Sequence, residues 1–465
     1  MIRNGFFSIV FVCCCLTVSS QQSEWRNLIE KKQFEKVILQ LDELQPADSA
    51  DFEKMYLIGQ AYEGLLKYKD AYNFYKQCFL LDSSRMDMLN TLARISVNLG
   101  KAKEAEKYYQ MVLEVDSANF YANFQLARLY VSVERYEEGL GYYDYLLESD
   151  SDNVSILWAM GDCYTRMGDL QLAYTYYFFA FNLNRENATL ANSLINTLLK
   201  IDPGSSDVAM AYCDTALYYN PGHKALRQQK AMIYYLKKEY SNADSIYTEL
   251  IDEGDNSYNT LKYCGCARYQ KHKWYLAIEP LEVAYEMDPT AYDVCILLGI
   301  CIGRAYDPGQ ALAYFDKAEK LMQPDSLWSN SLEGFRGEIY LKTGNRNKGA
   351  ETYYRIWMKD KQQINLLQQI QRSYYVSNLE QLSEDDRQRY LFITFLYVSE
   401  LFEHQDFEEM RRQNAPHLRS VLKKYEEEMF MRNLTNYPML SPDNKRNALP
   451  VEKLKELIGK LSVFP

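Results

Sequence analysis

Residues 106–117 read EKYYQMVLEVDS, and residues 140–151 read LGYYDYLLESDS, the same phrase 34 residues later. A further step of 34 lands on YYFFAFNLNR at 176–185, with Tyr176 and Tyr177 where the earlier pairs of tyrosines stood. Blocks of 34 counted from Phe52 hold this spacing through four copies, 52–85, 86–119, 120–153 and 154–187, without slipping by one residue. Position 8 is small (Gly59, Ala93, Ala127, Gly161). So is position 20 (Ala71, Ala105, Gly139, Ala173), and position 24 is aromatic (Tyr75, Tyr109, Tyr143, Tyr177).

These columns describe a pair of packed helices. Positions 7, 8 and 11 share one face of a first helix, and positions 20, 24 and 27 share one face of a second. Small residues at 8 and 20 let the two backbones approach closely, and tyrosines at 11, 17 and 24 fill the space around that contact. A break near position 15, sometimes glycine, turns the chain between the helices. Each hairpin carries apolar surface on more than one side, so it is stable only when stacked on neighbours. Much of the excess of tyrosine, 41 residues in 465, is thereby assigned to packing.

Composition agrees. A chain of 465 residues is too long for one ordinary core. Its 47% hydrophobic content excludes disorder, and 20 glycines and 12 prolines leave few breakers for long helical stretches. A net charge of −11 argues against a nucleic-acid partner, whose phosphates need a basic face. No segment is long and apolar enough to span a membrane as a helix.

The first 20 residues read as a leader. Arg3 precedes an apolar run from Phe6 to Val18, and small residues Ser19 and Ser20 supply a cleavage site before Gln21. A cysteine-anchored lipoprotein, through Cys13, Cys14 or Cys15, is the lesser alternative, because Val10, Phe11 and Val12 lack the leucine and small residues usual before such a site. Seven cysteines follow: Cys78, Cys163, Cys213, Cys264, Cys266, Cys295 and Cys301. Their number is odd and their spacing fits no zinc pattern, so they read mainly as buried thiols. A disulfide between Cys264 and Cys295 stays open.

The columns resemble the tetratricopeptide repeat (TPR) family, whose 34-residue helix–turn–helix pattern is L-G-x-x-Y, then A-x-x-x-Y/F-x-x-A, then P. Later copies are read at 188–223, with a two-residue insertion at Asp202-Pro203-Gly204, and at 224–257, 258–291, 292–325 and 330–363. A degenerate copy occupies 21–51. The closing proline survives clearly only at Pro221 and Pro289. The resemblance implies an all-α solenoid of about ten repeats forming a right-handed superhelix. Residues 364–465 lose the period and read as a C-terminal helical cap, with helices expected at 366–376, 387–404, 416–431 and 450–461, and Ser383-Glu384-Asp385-Asp386 as a polar joint.

In this family the first helices line a concave groove, into which positions 2, 5, 9 and 12 point. Position 5 carries Tyr56, Asn90, Phe124, Trp158 and Asn192, and position 9 carries Gln60, Arg94, Arg128, Asp162 and Asn196. Aromatic anchors, amides and two arginines are the set expected at a peptide-binding surface. Arg94 and Arg128 share a column, so the resemblance implies that both face an acidic ligand. The Lys/Asn clamp that some TPR domains close on a terminal carboxylate is not reproduced, since position 5 holds no lysine in these repeats.

Catalytic patterns are missing from the sequence. His223, His272, His404 and His417 are scattered, no H-E-x-x-H or G-x-S-x-G occurs, and Gly299-x-x-x-Gly303 precedes no phosphate loop. No cofactor or metal is implied. The expectation is a non-enzymatic scaffold binding a protein or peptide in the groove, exported to the periplasm or cell envelope of a Gram-negative bacterium and resembling exported bacterial TPR proteins of unknown function. The competing classes are a sensory or regulatory ectodomain, an accessory subunit of an envelope enzyme complex, and an unrecognised activity in 364–465.

Overall fold

A computed structural model describes residues 21–41, 51–322, 328–376, 378–404, 415–432 and 451–462. The leader at 1–20 lies outside the described residues, as does the first residue of the expected last helix, Pro450. The described residues are helices and turns, and the chain divides into two compact units after Gln229.

The first unit opens with α1 (21–30) and α2 (Phe34–Leu39). Five hairpins follow: α3 (Phe52–Gly64) with α4 (Tyr68–Leu81), α5 (Met86–Asn98) with α6 (Ala102–Val115), and α7 (Phe120–Ser132) with α8 (Tyr136–Ser149). The last two are α9 (Val154–Met167) with α10 (Leu170–Leu183), and α11 (Ala188–Ile201) with α12 (Ser206–Tyr219). The five first helices begin at 52, 86, 120, 154 and 188, so the 34-residue period is a physical repeat of structure.

Three local devices recur among these hairpins. In four of the five the residue before the first helix is a side-chain N-cap: Asp51, Asn119, Asn153 and Asn187 each accept a hydrogen bond from a backbone N–H of the first turn, whereas Arg85 before α5 makes no such bond. At the other end the chain enters the left-handed region at position 15: Leu66 (φ 59°), Gly100 (71°), Glu134 (64°) and Gly168 (85°). There Leu66 N–H bonds to the Glu63 carbonyl and Lys67 N–H to the Tyr62 carbonyl, each at 2.9 Å, which satisfies carbonyls the helix leaves unpaired. The third device is close approach. A Cβ on Gly59 would stand 2.6 Å from the Tyr75 ring, and one on Gly161 would stand 2.5 Å from the Tyr177 ring. The glycine supplies the hollow that the tyrosine fills, and Tyr75, Tyr109, Tyr143 and Tyr177 are all buried.

Helix α13 (Lys224–Leu236) contains the division. The second unit continues with α14 (Tyr240–Asp252), α15 (Tyr258–Gln270), α16 (Trp274–Met287), α17 (Tyr292–Ala305), α18 (Pro308–Leu321), α19 (Trp328–Lys342) and α20 (Arg346–Lys359). Position 15 again turns through positive φ at Lys238, His272 and Gly344. Asp244 on α14 is buried and holds Arg268 of α15 (2.9 Å) and Lys271 just after that helix (3.0 Å).

The unit ends in α21 (Ile364–Ser373), α22 (Glu384–Glu403), α23 (Ala415–Arg432) and α24 (Val451–Leu461), around a core that includes Leu367, Tyr390, Val398, Leu422 and Leu457. Helix α22 starts three residues before the expected Arg387. Ser383 caps it, accepting from the Asp386 N–H at 3.2 Å, and Glu384, Asp385 and Asp386 form an acidic first turn facing the positive helix end. The polar joint of the sequence is therefore a helix start. All seven cysteines of the described residues are buried free thiols.

Candidate functional site

On α3, Glu63 stands at position 12, and its carboxylate is held twice. Tyr75 of α4 donates its hydroxyl to Glu63 Oε2 at 2.8 Å. Arg94, from the next hairpin, pairs with the same carboxylate through both terminal nitrogens, Nη2 to Oε2 at 3.1 Å and Nη1 to Oε1. Burial, reinforced by the Glu63 charge, raises the Tyr75 phenol, so it stays a hydrogen-bond donor. Its bond to Glu63 likewise raises the Arg94 guanidinium.

Beside this pair lies a cavity of about 440 Å³, walled by three successive first helices. Helix α5 contributes Arg94, Val97 and Asn98. Helix α7 contributes Tyr121, Gln125, Arg128, Leu129, Val131 and Ser132, and α9 contributes Ala159, Asp162 and Arg166, while Tyr109 and Tyr143 of the second helices complete the lining. Arg128 and Arg166 are exposed and make no ion pair among the described residues. Asp162 accepts the Tyr177 hydroxyl at 2.6 Å. Burial raises the phenols of Tyr109 and Tyr143, and the charge of Arg128 acts on both in the opposite sense. Two guanidiniums and two un-ionised phenols against one carboxylate leave the cavity suited to an anion.

Of the ten residues singled out at positions 5 and 9, the cavity gathers Arg94, Arg128 and Asp162. Arg94 meets it already engaged with Glu63, whereas Arg128 makes no ion pair among the described residues. Tyr56 and Phe124 are half-buried and packed on the position-24 tyrosines, 5.8 Å from Tyr75 and 5.7 Å from Tyr143 between ring centres. Asn90, Trp158 and Asn192 are half-buried, and each has a buried polar atom (Oδ1, Nε1 and Oδ1) without a hydrogen-bond partner among the described residues. Asn196 accepts from Gln229 Nε2 at 2.6 Å. These six and half-buried Gln60 lie outside the cavity lining.

The sequence reading missed Arg166, which stands at position 13, one column beyond those considered. It also assigned Tyr109 and Tyr143 to the core, where their rings do lie, although their edges reach the cavity. Among the described residues no group of three or more His, Cys, Asp or Glu side chains could hold a metal ion, and no helix is long and apolar enough to cross a membrane.

A tetratricopeptide repeat family model matches residues 87–119. No curated protein sequence matches the chain. Among solved structures, the chain is similar to a tetratricopeptide repeat protein from Parabacteroides merdae at 17% identity and a TM-score of 0.41, covering 54% of this chain and 98% of that one. It is similar to YrrB, described as a TPR protein with an unusual peptide-binding site, at 21% identity and a TM-score of 0.35, covering 40% and 95%. It is also similar to Pseudomonas aeruginosa pilF at 18% identity and a TM-score of 0.37, covering 47% and 98%. The family match spans one step of the period, and the hairpins on either side repeat its length and its left-handed turn. The chain carries a tetratricopeptide repeat at 87–119, set in a run of hairpins of the same length and turn.

Proposed function

We propose that the chain is a non-enzymatic interaction scaffold that takes an extended protein or peptide segment along the first-helix face of its N-terminal unit. One observation carries this reading: three consecutive first helices converge on a single cavity in which Arg128 and Arg166 have no acidic partner among the described residues. The exposed guanidinium pair, with half-buried Phe124 and Trp158 carried on the same helices α7 and α9, offers both charge and flat apolar surface, the combination that anchors peptides. The same reading places the protein in the cell envelope, on the leader pattern at 1–20. N-terminal sequencing of the cell-derived protein is expected to begin near Gln21, and a retained Met1 would overturn that placement.

The binding reading is tested by selecting displayed peptides on the full chain and measuring them by calorimetry against Trp158→Ala and Arg166→Glu. Both substitutions are expected to weaken the selected peptides about tenfold or more, with circular dichroism unchanged. Unchanged affinity in both variants would move the binding surface elsewhere.

A further inference from the structure

The repeat supplies an internal comparison that identifies the anion. Adding 34 to Glu63, Tyr75 and Arg94 gives Val97, Tyr109 and Arg128, and all three of these line the cavity. In the earlier copy the arginine is met by a carboxylate from the preceding hairpin, and a buried tyrosine donates to the same group. In the later copy the arginine and tyrosine are present, but valine stands where the carboxylate was. The next step gives Val131, Tyr143 and Asp162, where an acid has replaced the arginine and takes the Tyr177 hydroxyl. Among the described residues, the arginine of the middle level makes no ion pair, unlike Arg94 of the first level, and the third level has no arginine at that position.

We propose that this middle level is a carboxylate receptor, in which an Asp or Glu side chain of an extended partner peptide takes the place that Glu63 fills one hairpin earlier. Arg128 grips the carboxylate end-on through its two terminal nitrogens, as Arg94 grips Glu63, and Arg166 adds a second positive charge from α9. The apolar part of the lining, Val97, Leu129 and Val131, suits an aliphatic residue next to the acid. This assignment rests on the peptide-binding reading above and specifies its ligand. A carboxylate is favoured over a phosphate because the filled copy holds a carboxylate between the same two residue types.

The probe is a fluorescein-labelled, C-terminally amidated peptide with one glutamate between two leucines, titrated against the full chain by fluorescence polarisation. It is expected to bind at least about tenfold tighter than its glutamine counterpart, the range for a charged hydrogen-bonded pair. Val97→Glu supplies the missing acid from within and is expected to abolish that preference. Val97→Gln, equal in size and uncharged, is expected to keep it, and Arg128→Gln to remove it with native circular dichroism. Equal binding of both peptides to the wild-type chain overturns the carboxylate assignment while leaving the peptide reading intact, and so does a preference that survives Val97→Glu. Tighter binding of a glutamine peptide with a free C-terminus assigns the site to chain ends and overturns the side-chain assignment, and tighter binding of a phosphoserine peptide overturns the carboxylate itself. Binding of no peptide at millimolar concentration overturns both readings together.

Discussion

The ring of Tyr177 lies across Gly161, its Cδ1 only 2.5 Å from where a Cβ on that glycine would stand. Both residues are buried, and the obstructing atoms belong to the base of a ring with no free end to swing away. Gly161→Ala is therefore expected to destabilise the first unit by about 1–3 kcal/mol through overpacking. Denaturant unfolding measures it. A loss below about 0.5 kcal/mol would mean that the ring relaxes freely.

The left-handed turn at position 15 gives a prediction of opposite sign. Glu134 holds φ 64° with a side chain, whereas Gly168 holds φ 85° without one. Glu134→Gly is expected to stabilise by about 0.5–1 kcal/mol, relief of the Cβ clash exceeding the entropy that glycine adds to the unfolded chain. Gly168→Ala is expected to cost about 1 kcal/mol. Thermal unfolding of the pair checks both directions.

Asp244 sets an acid limit on the second unit. Burial opposes its ionisation, but Lys271 and Arg268 more than offset this and hold its carboxyl below the usual 3.8. A depressed carboxylate contributes stability that is present above the unfolded value and is lost as the pH falls through the folded one. Asp244→Asn is expected to cost on the order of 2 kcal/mol at neutral pH by leaving Arg268 and Lys271 without their acid. The gap between variant and wild type should close below pH 3.8, and a gap that stays constant into acid would assign the loss to packing.

The tyrosines set an alkaline limit. Burial pushes the phenols of Tyr374 and Tyr390 up to about 12, and raises Tyr75, Tyr109 and Tyr247 as well. A raised phenol contributes stability that is intact below the ordinary value of 10.0 and is lost as pH rises toward the folded one. Tyrosinate absorbance should therefore titrate in two groups: exposed phenols near pH 10, and the buried set together with loss of helix at higher pH. A single smooth titration with helicity retained would contradict the packing described.

The repeated hairpin was legible because its causes are local. A small residue at position 8 faces an aromatic at 24, and both fall at fixed distances from a turn, so a period in the sequence is a period in the structure. Two features were harder to read. Non-glycine turns at Leu66, Glu134, Lys238 and His272 carry no composition signal, because the stacked helices force the conformation there. The arginines were read down a column, which made Arg94 and Arg128 equivalents. Their difference comes from the preceding repeat, Glu63 in one case and Val97 in the other, and appears only when position 9 is compared with position 12 of the hairpin before it.

The seven buried thiols make the protein its own stopwatch. Cys78, Cys163 and Cys213 sit in separate hairpins of the first unit, and Cys264, Cys266, Cys295 and Cys301 in α15 and α17 of the second. An alkylating reagent reaches each sulfur only when its own hairpin opens, so the rate at each cysteine reports one local opening. Mass-spectrometric readout of those rates yields a map of where the stack first comes apart, with no residue substituted.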